Sequence, residues 1–212
     1  SSSIPNEQWL REYVKNSFEA IDAYKKKHRN DKNYKGEVQI TRNEFMSRLY
    51  GFEKISVVDN GIGMDKDLMV DYINELGLSG DYKSEKYKNF GIGAKISAVT
   101  RNPKGIIYES WLPNEIGYRS KLFLDPSKDT YGIEEVFGNS GRNVYTIIDS
   151  EATPNLIKKY GHGTNVTFTG EKDSDNTLSN RIHSISGAED GRWIAMALNK
   201  RFYEFPNDVV VK

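Results

Sequence analysis

The chain has no cysteine among its 212 residues, so disulfide bonds, thiol catalysis and cysteine metal sites are excluded. It has no excess of either charge, because 30 basic residues balance 30 acidic ones. This balance argues against a strongly basic nucleic-acid platform in this chain. Histidine is scarce as well: His28, His162 and His183 lie far apart without metal-ligand spacing. We expect each of them at the surface or in a loop.

Long hydrophobic runs are also missing. The longest, at 193–198, is far too short to span a membrane, and the first residues carry no apolar stretch of the signal-peptide kind. We therefore expect a cytoplasmic or nuclear protein without membrane contact. With 37% apolar residues the chain can bury one core, so 1–212 should form one domain. We expect it to be the N-terminal part of a longer protein, because it lacks an initiator methionine and ends in a strand-like run at 209–212 without an evident partner.

The most informative stretch is Val-Val-Asp-Asn-Gly-Ile-Gly-Met at 57–64. β-Branched residues run into a lone acid, Asp59, which predicts a buried strand with one carboxylate at its tip. Gly61 and Gly63 then let the backbone come close to whatever that carboxylate holds. An anionic acceptor in an apolar pocket suits a ligand with an exocyclic amine, such as adenine. The alternative is a hairpin turn at Asn60 and Gly61 with an exposed aspartate.

Upstream, residues 8–27 have the spacing of an amphipathic helix. One face is formed by Leu10, Tyr13, Val14, Ser17, Phe18 and Ile21. Glu12, Asn16 and Glu19 follow the same steps on the opposite side. The carboxylate of Glu12 can take a proton from water, and the amide oxygen of Asn16 can ligate Mg²⁺. The alternative is an ordinary solvated polar face.

A second glycine pair opens the small-residue segment after residue 90. Gly91 and Gly93 precede a stretch that should be helical, and backbone N–H groups at a helix start bind phosphate. Lys95 adds a point charge within reach of that anion. The segment matches neither the P-loop nor the longer dinucleotide-binding pattern, and an ordinary turn is the alternative interpretation.

A third glycine pair enters an alternating, β-branched segment at 161–169, which predicts a strand. Thr164, at the start of that strand, could place a hydroxyl beside Asp59. An ordinary strand after a turn is the alternative.

Together these residues resemble the GHKL superfamily of ATP-binding proteins, which includes the ATP-binding component of DNA gyrase, the ninety-kilodalton heat-shock chaperones, histidine kinases and MutL. The resemblance covers residues 9–168. The family's four motifs correspond to Glu12-x-x-x-Asn16-x-x-Glu19-Ala20, Asp59-x-Gly61-x-Gly63-Met64, Gly91-x-Gly93 and Gly163-Thr164. Glu19 departs from the pattern, since the family often has aspartate there.

The resemblance implies a Bergerat-type α/β sandwich, with helices on one face of a mixed, mostly antiparallel sheet, that binds ATP and Mg²⁺. In it Asp59 accepts from the adenine amine, Gly63 lets the base approach, and Thr164 orients the carboxylate or a water. Asn16 ligates Mg²⁺ and Glu12 deprotonates the attacking water. The pocket wall and phosphate cradle are implied for Met64, Gly91, Ile92, Gly93, Ala94 and Lys95.

The resemblance also suggests a subclass. Glu12 one turn before Asn16 is typical of the ATP-hydrolysing branch, and the segments 76–80 and 91–97 are similar to the MORC group. Members close a lid and dimerise on ATP binding and commonly need a lysine from a following domain, so slow hydrolysis, an ATP-dependent homodimer and DNA contact through other domains are the expectations. A histidine-kinase-type phosphotransferase and a non-hydrolysing nucleotide-binding scaffold remain the alternatives.

The remaining pattern predicts the order of elements. Helices are expected at 8–27, 66–76 and 192–203, a lid at 79–89 and a loop at 171–190. Strands are expected at 36–41, 54–59, 105–111, 118–124, 132–137 and 143–148.

Overall fold

A computed structural model describes residues 8–77, 98–138, 141–179, 192–199 and 205–212. In these ranges the chain forms a sheet of eight strands in the order β10-β1-β2-β9-β3-β4-β5, with β8 also paired to β4, and a separate hairpin β6-β7. All neighbours are antiparallel except β1 and β10. The strands are β1 Gly36–Arg42, β2 Ile55–Asp59, β3 Ile106–Trp111, β4 Tyr118–Asp125, β5 Thr130–Ile133, β6 Val136–Gly138, β7 Gly141–Asn143, β8 Thr146–Ile147, β9 Gly163–Phe168 and β10 Val209–Val211.

The helices are α1 Gln8–Lys27, α2 Glu44–Tyr50, α3 Lys66–Gly77, and two further helices, Asn155–Tyr160 and Arg192–Asn199. Residues 98–101 are also helical, and Ser150–Ala152 form a single 3₁₀ turn. The first predicted helix is confirmed over 8–27, and α3 runs one residue beyond its predicted end. None of the helices in the described ranges is long and apolar enough to cross a membrane.

The main core lies between one face of the sheet and α1, α3 and the helix Arg192–Asn199. Because side chains alternate along a strand, Val57, Tyr108 and Phe168 point to this face, where they are buried. Leu10 of α1 and Trp193 complete the layer from the helical side. The predicted two-layer sandwich with a mixed, mostly antiparallel sheet is therefore confirmed in its coarse form.

The other face of the sheet carries the two short helices, α2 and Asn155–Tyr160, which the sequence did not predict. Val58 and Trp111 form a second buried cluster with Leu156 and Ile157 of the later helix. The expectation that helices lie on one face thus holds for the long helices only. Asn43 begins α2, since its side chain accepts from the backbone N–H of Met46.

Two strand predictions differ from the structure in their bounds. The segment 132–137 is divided into β5, which ends at Ile133, and β6, which begins at Val136 and pairs with β7. The segment 143–148 is likewise divided, with only Thr146–Ile147 paired to β4. The run at 209–211, expected to lack a partner, pairs in parallel with β1.

Lys54, just before β2, is fully buried. Its ammonium donates to the backbone carbonyls of Thr169, Asp173 and Asp175 at 2.7–2.9 Å. Burial lowers the pKa of this lysine, and the nearby carboxylates oppose that shift. Lys54 therefore fixes the first part of the loop that follows β9, inside the predicted loop 171–190.

Candidate functional site

A cavity of about 250 Å³ lies between α1, the sheet and α3. Its wall is mainly apolar, as expected for a site that removes a flat ligand from water. The apolar residues that line it include Ala20, Val57, Ile62, Met64, Leu68 and Val166, and its polar residues include Asn16, Ser17, Glu19, Asp59 and Thr164. Most of the described residues that the sequence predicted for an ATP site therefore line one cavity.

Asp59 is the last residue of β2 and is only 4% exposed. Its Oδ2 accepts from the Ser17 hydroxyl at 2.9 Å, and its Oδ1 accepts from the Gly61 N–H at 2.8 Å. Burial raises the pKa of Asp59 to about 7, although the hydrogen bonds from Gly61, Ser17 and the Thr164 backbone act in the opposite direction. The alternative of a hairpin with an exposed aspartate is wrong, because β2 pairs with β1 and β9.

Thr164 lies directly opposite Asp59 in the β2–β9 register. Its hydroxyl is 3.0 Å from the Ser110 hydroxyl of β3, which also accepts from the Met64 N–H at 2.8 Å. The Thr164 side chain thus joins a network with β3, and its contact with Asp59 is through the backbone. Ser110 was not predicted, although strand alternation places it on the same face as Tyr108.

The glycines around Asp59 are required by the protein's own packing. Gly63 has a φ of +72°, and a Cβ there would lie 2.0 Å from the Trp111 carbonyl oxygen. A Cβ on Gly61 would lie 2.6 Å from the Cβ of Ala20. Gly163 has a φ of +138°, and its Cβ would lie 2.0 Å from the Asp59 carbonyl oxygen. The sequence pattern suggested that these glycines make room for a ligand. The structure shows that they also make room for neighbouring atoms of the protein itself.

The polar row of α1 reaches the cavity through Asn16 and Glu19. The Asn16 amide nitrogen donates to the Tyr72 hydroxyl at 3.4 Å, and its amide oxygen makes no hydrogen bond with the residues that the structure describes. Glu12 is half-buried one turn earlier and does not line the cavity. Glu19 makes a 3.7 Å ion pair with Lys15 on the same helix.

Three tyrosines close the part of the cavity beneath α1 and α3. The hydroxyls of Tyr13 and Tyr108 are 2.5 Å apart, and the ring of Tyr72 meets that of Tyr108 edge-on at 5.8 Å. Burial raises the pKa of all three well above the usual range, so each is protonated. They give the apolar cavity a hydroxyl-bearing floor, of which the sequence pattern had placed only Tyr13, on the apolar face of α1.

His162 lies in the loop before β9, as the sequence predicted, but it is buried there and not at the surface. Its Nδ1 lies 2.7 Å from the Gly61 carbonyl oxygen, and its ring stacks on Tyr24 of α1 at 4.0 Å with an interplanar angle of 15°. Burial lowers the pKa of His162. In the sequence, one feature singles out His162 as part of the site: it stands between two glycines, close to Thr164.

The phosphate-binding prediction for Gly91, Ile92, Gly93, Ala94 and Lys95 lies outside the described residues, as does the lid at 79–89. Among the residues that are described, no group of three or more His, Asp or Glu side chains could hold a metal ion. No model of a known protein family matches the chain, and no curated protein matches it.

Proposed function

We propose that this chain is a Bergerat-type ATP-binding domain of the GHKL kind, with adenine bound in the cavity beside Asp59. The observation that carries the proposal is the buried carboxylate of Asp59 at the end of an apolar cavity. Its oxygens accept from Ser17 and Gly61, and the Thr164 backbone is a third protein partner. A carboxylate has about four acceptor positions, so one remains for a ligand amine.

The chemistry of that carboxylate favours adenine over guanine. Burial raises the pKa of Asp59 to about 7. A hydrogen-bond donor from the ligand stabilises the ionised carboxylate and so opposes that shift. Adenine presents an amine at the position where guanine carries a carbonyl oxygen, and two acceptors facing each other in a buried site repel. The apolar walls formed by Val57, Ile62 and Val166 suit the faces of a purine.

Within the cavity, Mg²⁺ would be held through Asn16. Asn16 lines the cavity and has an amide oxygen without a partner among the described residues. One such oxygen is too few to hold Mg²⁺ firmly, so the nucleotide phosphates and water would supply the other ligands. When bound, the ion would neutralise charge on the phosphates.

We further propose that the domain hydrolyses ATP slowly, with Glu12 as the general base, and that turnover drives lid closure and dimerisation of a larger assembly. The support is the order of the four motifs and the resemblance to the ATP-hydrolysing and MORC-like branches. Phosphohistidine formation on a partner protein would instead support the phosphotransferase alternative. ATP binding without any turnover would support the scaffold alternative.

Calorimetric titration of ATP and GTP tests the adenine assignment. We expect ATP to bind more tightly than GTP, and Asp59→Asn to lower ATP affinity at least about tenfold, because a charge-assisted hydrogen bond contributes about 1.5–3 kcal/mol. Asp22→Asn is the matched control, since Asp22 is on the exposed surface of α1 and pairs with Lys26. Unchanged ATP affinity in Asp59→Asn would overturn the assignment.

A further inference from the structure

We propose that His162 is a positioning residue of the candidate site: its imidazole holds the Gly61 peptide so that the Gly61 N–H stays directed at the Asp59 carboxylate. The effect on ATP rests on the function proposed above, whereas the effect on the Asp59 carboxyl can be tested without nucleotide. His162 lies outside the cavity wall, behind the loop that follows β2.

The peptide between Gly61 and Ile62 is held from both sides. Its N–H, that of Ile62, donates to the Ala20 carbonyl of α1 at 3.0 Å. Its carbonyl, that of Gly61, accepts from His162 at 2.7 Å. The N–H on the other side of Gly61 donates to Asp59 at 2.8 Å. Glycine has unusual backbone freedom, so these outside contacts fix a residue that could otherwise rotate.

The geometry fixes the tautomer of the ring. A backbone carbonyl only accepts hydrogen bonds, so Nδ1 of His162 must carry the proton that it shares with Gly61. Burial, the largest effect, and nearby His28 lower the pKa of His162, while the Gly61 carbonyl and Asp31 act to raise it. The titratable groups that face the ring from neighbouring elements are Tyr24, His28, Asp31, Tyr34 and Tyr160.

Aromatic packing holds the imidazole in place. Tyr24 stacks on His162 on one face and on His28 on its other face, at 4.0 Å and 4.4 Å between ring centroids. Tyr34 donates to the Asn60 carbonyl at 2.9 Å, which fixes the residue before Gly61. A donor whose own orientation is locked in this way can hold its partner within a narrow range of angles.

The consequence appears at Asp59. The Gly61 N–H stabilises the ionised carboxylate, so releasing the Gly61 peptide should raise the pKa of Asp59 further. A carboxyl that is protonated at pH 7 no longer accepts well from a ligand amine. His162 therefore acts on nucleotide binding through Asp59 and without contact to the nucleotide.

The test compares the same substitution at two positions of one aromatic stack. His162→Phe keeps the ring and removes the donor to Gly61. His28→Phe is the matched control, because His28 stacks on the other face of Tyr24 and its Nε2 is buried without a hydrogen bond among the described residues. His162→Asn is the rescue variant, because its amide nitrogen occupies nearly the position of Nδ1. The readout is the carboxyl ¹³C titration of Asp59 by NMR without nucleotide, followed by ATP affinity.

We expect the Asp59 midpoint to rise by about half a unit or more in His162→Phe, to stay native in His28→Phe, and to return toward the native value in His162→Asn. ATP affinity at pH 7 should follow the same order. An unchanged midpoint in His162→Phe, or an equal rise in His28→Phe, would overturn the role of His162. If native protein binds no ATP while the midpoint moves as expected, the proposed function fails and the positioning role stands.

A second measurement does not depend on how the variants fold. The ¹⁵N shifts of His162 in the native protein report its tautomer, and we expect the Nδ1–H form. A neutral ring protonated on Nε2 could not donate to the Gly61 carbonyl through Nδ1, and that result would overturn the proposal.

Discussion

At the scale of single residues, Asp59 has surroundings that oppose its charge. Its pKa is raised to about 7 from 3.8, so between these values the folded protein binds more protons at this site than the unfolded chain does. The contribution of Asp59 to the free energy of unfolding is therefore fully present below about pH 3.8 and is lost as the pH rises through 7. Keeping a buried carboxylate for a ligand therefore lowers the free energy of unfolding of the protein as the pH rises through 7.

Asp59→Asn should remove that pH-dependent loss. Without nucleotide, we expect the Asn variant to melt at a higher temperature than the native protein at pH 8, and the advantage to disappear near pH 4, where the native carboxyl is protonated. Thermal melting of both proteins at pH 4, 6 and 8 measures the effect, with Asp22→Asn as the control. A constant difference between Asp59→Asn and native protein across this range would contradict the pKa shift as its cause.

Alanine substitutions at two glycines can distinguish the cost of backbone strain from the cost of a steric clash. Gly51 and Gly63 have nearly equal φ values of +74° and +72°, but a Cβ at Gly51 meets nothing within 4 Å, whereas one at Gly63 meets the Trp111 carbonyl. Gly51→Ala should cost about 1–2 kcal/mol in unfolding free energy from strain alone, and Gly63→Ala clearly more. Urea unfolding of both variants measures the difference. Equal losses would show that the loop relaxes away from Trp111.

At the scale of elements, α1 carries both the core and the polar row of the site. If Glu12 is the general base, Glu12→Gln should leave ATP affinity near native and lower hydrolysis by about 10²–10⁴-fold. Single-turnover phosphate release measures this. Glu19→Gln is the comparison, because Glu19 lines the cavity and Glu12 does not. Full turnover in Glu12→Gln together with its loss in Glu19→Gln would make Glu19 the base.

The elements that the sequence predicted well are those with strong local signals. The helix α1 repeats apolar residues over 20 positions, and β2 is a short, mainly β-branched segment that ends in an acid. The short helices α2 and Asn155–Tyr160 have too few turns for a period to emerge. The partner of β10 is far away in the chain, and no local pattern encodes such a pairing.

The candidate site was predictable for the same reason only in part. The place of Asp59 at a strand tip followed from local sequence. Ser17 was assigned to the apolar face of α1 by its spacing, and its role as a donor to Asp59 depends on how α1 packs on β2. The Tyr13–Tyr108 pair and the contact of His162 with Gly61 need the register of distant strands, which a single sequence does not contain.

At the scale of the whole molecule, the sheet aligns the site. Three strand termini meet at one end of the sheet: the ends of β2 and β3 and the start of β9. They meet because Asp59 pairs with Thr164 and Trp111 pairs with Gly163 in antiparallel register. Asp59 and Thr164 thereby line the same cavity from different strands. A shift of β9 by one residue would turn Thr164 to the opposite face, so the fold tolerates no slip in this register without loss of the site.

The cage of three carbonyls around Lys54 gives the folded protein a chemical reporter of its own opening. Burial lowers the pKa of Lys54, but its side chain is fully buried and reagents cannot reach it until the loop after β9 opens. The measurement is acylation followed by mass spectrometry. In the folded protein we expect Lys54 to react far more slowly than Lys26, whose side chain is 71% exposed. In protein unfolded by urea the two lysines should react equally fast. Fast labelling of Lys54 in the folded protein would contradict the cage. Slow labelling would give an opening rate for one loop of the native protein without any engineered probe.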